Sequence, residues 1–326
     1  MVCVSVSHLE KTYKIALRGK GLGGAIKGFV KREHREIRAL RNLSFTVDTG
    51  EILGYIGPNG AGKSTTIKIM SGIMKPDSGE CIVDGMIPWK DRIAHVRRIG
   101  VVFGQRTQLW WDLPTIESFH LLKKMYAVPE SRFKQNLDEL TELLQLSPLL
   151  AIPVRQLSLG QRMRCELAAS LLHSPKILFL DEPTIGLDAQ AKIAVRRFIR
   201  EYNRRNNVTV ILTTHDMDDI EELSDRILVL KEGELIYTGD VDGLRAASGA
   251  MRTLIVDTDG DESVSAIDGA TVREEGGRIT YLYDPRQINV NEIITSISAK
   301  RKIVDLFSTW EPIEQIVARI YQDSNG

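Results

Sequence analysis

The run Gly57, Pro58, Asn59, Gly60, Ala61, Gly62, Lys63, Ser64, Thr65 spaces glycine, lysine and hydroxyl residues as G-x-x-x-x-G-K-[ST]. That pattern suits the phosphates of a nucleoside triphosphate. Glycines let several backbone N–H groups turn inward and let the chain approach an anion closely. Lys63 can reach the β- and γ-phosphates, and the Ser64 hydroxyl can ligate Mg²⁺. Ligand-free glycine-rich turns share most of these positions, so the loop needs support from elsewhere in the chain. Downstream, Asp181 and Glu182 close the apolar run Ile177 to Leu180. Asp181 suits Mg²⁺, directly or through a water; Glu182 suits orienting or deprotonating an attacking water. Without the loop upstream, a solvated acidic pair at a strand end would read the same way.

Such groups have to be brought together by strands. Ile52, Leu53, Tyr55 and Ile56 read as a buried strand before the loop, and a helix starting near Gly62 would turn its positive end to the phosphates. The wholly apolar run Ile177 to Leu180 reads as a strand buried on both faces, with its carboxylates at the end where α/β sheets bind ligands. Val101 to Phe103 precedes Gln105 in the same way, and Val208 to Leu212 precedes His215. Leu157, Ser158, Leu159, Gly160 and Gln161 head a helical pattern made by Met163, Leu167, Ala168, Leu171 and Leu172. A hydroxyl and a backbone N–H at a helix head can face an anion, although Ser158 could also be a plain N-cap.

With these residues in this order, the chain resembles the ATP-binding cassette (ABC) ATPase family over most of residues 1–240. The family's signature is LSGGQ; here Leu159 stands where its first glycine usually does. The resemblance implies an α/β fold, a P-loop NTPase cassette with a RecA-like core, an antiparallel β subdomain and a helical signature subdomain at about 106–172. It implies ATP and Mg²⁺ as cofactors. Gln105 would be the Q-loop glutamine, contacting Mg²⁺ or the attacking water, and His215 the switch histidine on the γ-phosphate. Gly186, Leu187 and Asp188 match the D-loop, and Tyr13 sits where an aromatic ring faces adenine. Ser158, Gly160 and Gln161 would complete the site of a second copy, so the resemblance implies a head-to-tail homodimer or a pair with a related cassette subunit.

Within the family, the segments Gly104 to Pro114, Arg155 to Arg164 and Thr184 to Asp188 are most similar to ATPase subunits of ABC-2-type exporters related to drug and viologen efflux. That similarity implies ABC-2-type permease subunits as partners, ATP-driven export, and a peripheral position on the cytoplasmic face of the cell membrane. Trp110 and Trp111 lie where such cassettes receive a permease helix. Polysaccharide and teichoic-acid exporter ATPases also carry an insertion after the adenine-facing aromatic, but their Q-loop and signature surroundings fit less well. Cassette ATPases acting on nucleic acid or ribosomes usually carry two cassettes, a long coiled coil or cysteine-bound zinc, none of which is expected here.

With 43 basic and 43 acidic residues, bulk charge gives no reason to expect a nucleic-acid partner. Apolar runs stay far below the roughly 20 residues of a membrane span, and the N-terminus alternates like a strand where a secretory signal would have an apolar core. Cys3, Cys81 and Cys165 are too scattered for a zinc cluster or a disulfide framework, which suits a reducing cytosol. Charge is unevenly placed: residues 11–41 hold ten Lys or Arg against Glu33 and Glu36. A basic insertion at about 15–37 carries Leu22, Ile26, Phe29 and Val30 at helical spacing. It would be an amphipathic helix for an anionic membrane face or a permease, or a solvated glycine-rich loop. The cassette is expected over 1–245 and an accessory α/β domain over 246–326, in a βββαβα or ferredoxin-like arrangement.

Overall fold

Residues 1–16, 34–104, 106–259 and 267–323 are described by the structure, a computed structural model. They fall into two units, Met1–Asp240 and Val241–Gly326. The first runs β1 Val2–Ala16, β2 His34–Asp48, β3 Ile52–Ile56, α1 Lys63–Met70, β4 Ser78–Val83, α2 Arg92–Val96, β5 Ile99–Phe103, α3 Thr115–Met125, α4 Glu130–Leu143, α5 Leu159–Leu171, β6 Ile177–Asp181, α6 Ala189–Asn206, β7 Thr209–Thr213, α7 Met217–Leu223, β8 Arg226–Lys231 and β9 Glu234–Gly239.

Six of these strands form one sheet in the order β5-β6-β7-β3-β8-β9, parallel except for the edge pair β8 and β9. Every residue of β3 and β7 is buried, as are the first four of β6. These are the apolar runs that read as strands covered on both faces. Their register decides where the chemistry falls. Phe103 pairs with Asp181, Asp181 with Thr213, and Thr213 with Tyr55, so four strands end level. The loops that follow them emerge at one carboxyl edge, where parallel sheets bind ligands.

A second, antiparallel sheet has the order β2-β1-β4. Val4, Val6, Leu43 and Val47 from it pack with Leu53 and Tyr55 of β3 and Ile67 and Met70 of α1. Helices α3, α4 and α5 build a third layer, where Phe119, Phe133, Leu140, Leu167 and Leu171 are buried together. These three parts are the RecA-like core, the antiparallel β subdomain and the helical subdomain that the sequence led us to expect.

The ends of the basic insertion lie in strands: Ile15 pairs with Arg35 and Ala16 with His34, so β1 and β2 continue as a ladder up to those residues. The amphipathic segment expected between them, with Leu22, Ile26, Phe29 and Val30, falls in residues 17–33 and lies outside the described residues.

In the second unit, helix α8 Val241–Ala247 comes first. The division thus falls before this helix, at Asp240, where the sequence led us to expect the cassette to run to residue 245. Then follow β10 Arg252–Asp259, β11 Ala270–Glu275, β12 Arg278–Tyr283, α9 Val290–Ser298, β13 Lys302–Trp310 and α10 Ile313–Asp323. The strands form an antiparallel sheet in the order β11-β12-β10-β13, which gives the βββαβα succession. Alternate residues Leu254, Val256, Ile279 and Tyr281 face a core shared with Ile293 and Ile297 of α9.

Candidate active site

The phosphate loop joins β3 to α1. Helix α1 starts at Lys63, with Gly62 as its N-cap in the left-handed region at φ 106°, and no side chain caps it. A Cβ at Gly62 would also lie 2.5 Å from the Ala39 carbonyl oxygen, so glycine is needed for both conformation and space. An uncapped N-terminus that leaves backbone N–H groups unpaired fits a phosphate well. Lys63 is 6% exposed. Its Nζ donates to the carbonyls of Gly57 and, at 3.2 Å, of Pro58, and makes no ion pair among the described residues. Burial pushes its pKa below the ordinary value, against the pull of the Glu182 and Asp181 charges. A desolvated ammonium held only by carbonyls is well placed to receive an anion.

Asp181 ends β6, and its Oδ1 accepts from Thr213 Oγ1 at 2.5 Å and from Ser64 Oγ at 3.3 Å. Thr213, the register partner of Asp181 on β7, was not anticipated from sequence; its position one residue beyond an apolar run was the available signal. Among the described residues no group of three or more His, Cys, Asp or Glu could hold a metal ion. One carboxylate beside one hydroxyl suits Mg²⁺, which keeps several waters and takes phosphate oxygens, better than an ion needing a full protein cage.

Glu182 follows in the left-handed region at φ 57°, uncommon for a residue with a side chain. Two neighbours hold it there: its N–H donates to Thr213 O at 2.9 Å, and Gly104 N–H donates to Asp181 O at 2.8 Å alongside. Glu182 Oε1 stands 2.9 Å from His215 Nε2, and the His215 side chain is 46% exposed. Tyr13, on β1, reaches the loop from the antiparallel sheet, its hydroxyl 3.2 Å from Thr65 Oγ1 and 3.2 Å from Met74 Sδ.

One cavity of about 280 Å³ gathers these groups. Tyr13, Pro58, Asn59, Gly60, Ala61, Gly62, Lys63, Ser64, Thr65, Glu182 and His215 all line it. Asp181 opens instead onto an adjoining pocket of about 250 Å³, shared with Ser64, Glu182, Phe103, Gly104 and Arg106. Gln105 lies outside the described residues; of its described neighbours, Arg106 N–H donates to Phe103 O at 2.9 Å.

Ser158, Gly160 and Gln161 do not line either cavity. Ser158 is the N-cap of α5 in a capping box: Gln161 N–H donates to Ser158 Oγ at 3.2 Å, and Ser158 N–H to Gln161 Oε1 at 2.9 Å. Leu159, at the position where the signature departs from its usual glycine, lies against Gly186; a Cβ there would meet Leu159 Cδ2 at 3.0 Å.

Two further acidic groups escaped the sequence reading. Glu166, buried on α5, accepts from Thr107 Oγ1 and, at 3.2 Å, from Gln108 N–H, so it clamps the segment that follows Gln105. Burial raises its pKa, against the hydrogen bonds from Thr107 and Gln108. Asp219, on α7, is wholly buried. Trp110 and Trp111 are 38% and 48% exposed, and Arg162 lies over the Trp111 ring at 5.7 Å.

Fold and site together define a P-loop nucleotide triphosphatase whose parallel sheet carries an antiparallel and a helical subdomain. The family model described as "ABC transporter" matches residues 40–185. The chain is 30% identical over 208 residues to the ABC transporter ATP-binding protein NatA of Bacillus subtilis, covering 64% of this chain and 84% of that protein. It is 35% identical over 226 residues to the daunorubicin resistance ATP-binding protein DrrA3 of Streptomyces coeruleorubidus, covering 69% and 71%. Among solved structures, the ATP-binding cassette MJ0796, a dimer in a post-hydrolysis state with ADP and Pi, is 27% identical, with a TM-score of 0.61 over 73% of this chain and 98% of that one. This chain belongs to the ABC transporter family, as one of its ATP-binding ATPase members. Among the described residues no helix is long and apolar enough to cross a membrane.

Proposed function

We propose that the chain is the ATP-hydrolysing subunit of an ABC exporter, working as a pair of cassettes, homodimeric or with a related subunit, on ABC-2-type permeases at the cytoplasmic face of the membrane. One observation carries the pairing. The cavity holds the phosphate loop, Glu182 and His215, whereas Ser158, Gly160 and Gln161 line no part of it. A signature segment outside its own chain's cavity supports a role at a second copy's nucleotide. The name of the daunorubicin resistance relative supports export.

In this reading Tyr13 stacks on the base, and backbone N–H groups of residues 57–65 with Lys63 hold the phosphates. Ser64 and Asp181, with Gln105, hold Mg²⁺, which when bound neutralises charge on the β- and γ-phosphate oxygens. Glu182 orients the attacking water and accepts its proton at a carboxylate oxygen. His215 leaves its contact with Glu182 and donates to the γ-phosphate. Ser158 and Gly160 of the second copy close the other side. Differential contact with the γ-phosphate then favours the closed pair before hydrolysis and the open pair after it.

Sedimentation of Glu182→Gln with and without ATP tests the pairing. We expect a dimer only with ATP and hydrolysis slowed by about 10²–10⁴-fold, the typical range for losing a general base. A monomer at all ATP concentrations, or unimpaired turnover, refutes the reading. Purification from membranes tests the partners: multi-span proteins should accompany the chain, whereas ATP-dependent binding to DNA or ribosomes in their absence would place it in another class.

A further inference from the structure

A buried carboxylate joins two loops that the catalytic reading treats separately. Asp219 Oδ2 accepts from Thr214 Oγ1 at 2.8 Å and also from Thr184 Oγ1. Arg196 Nη1 on α6 donates to the other oxygen, Oδ1, at 3.4 Å. Asp219 is 0% exposed, and Thr184, Thr214 and Arg196 are buried with it. At this burial a carboxyl oxygen that loses a hydroxyl partner is left unsatisfied, which is costly.

The two threonines stand at informative places. Thr184 lies two residues after Glu182 and opens the turn to Gly186 and Asp188, closed by Leu187 N–H donating to Thr184 O at 3.2 Å. Asp188 then caps α6, the helix that brings Arg196 back to Asp219. Thr214 immediately precedes His215, and its Oγ1 also accepts from Asp216 N–H at 3.0 Å. Glu182 and His215 touch at 2.9 Å on the cavity side. A closed circuit results: Glu182, Thr184, Asp219, Thr214, His215 and back to Glu182.

We propose that Asp219 is a positioning residue that makes segment 184–188 and His215 move as one body. Contact of a second copy of this chain with segment 184–188 would then be felt at His215 through the shared Oδ2, without any residue of that copy touching the histidine. The inference rests on the paired-cassette reading. It adds what that reading lacks, a physical link from the face of the pair to the group that meets the γ-phosphate. A wholly apolar filling at Asp219 would pack the same space yet leave the two loops independent.

The test compares Thr184→Val, Thr214→Val and the double variant in the full chain, measuring kcat, KM for ATP and melting temperature. Valine keeps the shape and removes the hydroxyl. Each single change should lower kcat about ten- to a hundredfold, the factor that corresponds to leaving a buried acceptor unsatisfied. KM should stay within about twofold, since none of the three residues lines the cavity. The double variant should be no worse than the poorer single, because either one opens the circuit. Thr184→Ser, which keeps the hydroxyl, should retain wild-type kcat even where valine lowers the melting temperature.

Losses that multiply in the double variant, a Thr184→Val kcat equal to wild type, or a Thr184→Ser as slow as Thr184→Val would each overturn the link. Carrying Glu182→Gln alongside separates the two levels. An ATP-dependent dimer of that variant with no kcat effect at Thr184 sinks the link and leaves the pairing intact. No dimer at all sinks the pairing itself.

Discussion

His215 Nε2 stands 2.9 Å from Glu182 Oε1, so the two side chains that the proposed function assigns to the γ-phosphate and to water are each other's partners. In the proposed mechanism each turns to a different partner, Glu182 to water and His215 to the γ-phosphate. His215→Ala should leave ATP affinity within a fewfold and lower kcat by about 10²-fold or more, the scale of a lost donor at developing charge. Combined with Glu182→Gln it should cost little extra, because residues acting as a unit are not additive. Equilibrium nucleotide titration beside single-turnover hydrolysis decides this, and a fully multiplicative double variant would contradict it.

What was legible in the sequence follows from range. The phosphate loop, the acidic end of β6 and the signature are runs of adjacent residues, and each apolar run fixed one strand of the parallel sheet. Asp219 and Glu166 could not be read so directly, because their partners Thr184 and Thr107 lie 35 and 59 residues away. A hint existed for Glu166: it stands three residues after Met163 and one before Leu167, on the buried stripe of α5 where it is the one ionisable carboxyl. A carboxylate on a buried stripe needs a polar partner, although only the fold names it. Tyr13 was placed by family resemblance, and its approach to Thr65 depends on β1 crossing to the loop, a relation no local pattern contains. Strand β11 has all six of its residues at least partly exposed, with no buried face to give an apolar alternation, which explains its weak signal.

Lys63 offers a pH test. Burial holds its ammonium below the ordinary 10.5, so the unfolded chain keeps this proton more tightly than the folded one. The group opposes folding fully while protonated in both states, and the penalty fades as pH rises toward 10.5. The ligand-free wild type should therefore close its melting-temperature gap to Lys63→Met as pH rises toward 10.5. Lys63→Met should also lose the thermal shift that ATP gives the wild type. A constant gap between the two proteins across this range, or a preserved ATP shift, would show that the amine is neither desolvated nor in contact with phosphate.

Glu166 runs the other way. Its folded pKa is raised above 4.5 by burial, with the hydrogen bonds from Thr107 and Gln108 opposing. Its contribution to stability is fully present below 4.5 and is lost as pH rises through the folded value. Glu166→Gln removes that dependence, so the wild type should lose ground to the variant from about pH 4.5 upward, at about 1.4 kcal/mol per unit of pKa displacement. The amide keeps an acceptor for Thr107 but sets an NH₂ against the Gln108 N–H, so turnover should fall several-fold with ATP affinity unchanged. Denaturant melts across pH, read beside kcat, test both halves. A parallel pH dependence in both proteins would exclude a desolvated carboxylate.

Gly104 sits where β5 passes the carboxyl end of β6, and no side chain fits there. A Cβ would lie 2.1 Å from Glu182 O, 3.0 Å from Glu182 C and 3.0 Å from Ile185 Cγ2, two of the three being backbone atoms. Neither side can yield easily, because Gly104 N–H donates to Asp181 O and Glu182 N–H to Thr213 O, pinning both strands at this level. Gly104→Ala must therefore part β5 from β6 or push Glu182 out of its left-handed conformation. Overpacking of this kind costs about 1–3 kcal/mol. A displacement of about 1 Å at Glu182 would lower kcat about 10²-fold. The loop at 57–65 is built on β3, three strands from β5, so ATP affinity should be nearly untouched. The diagnostic result is thus a slow enzyme that still binds ATP and still forms the ATP-dependent dimer. Loss of binding in step with turnover would mean that the strain spreads through the sheet, and wild-type turnover would mean that Glu182 does not depend on this contact.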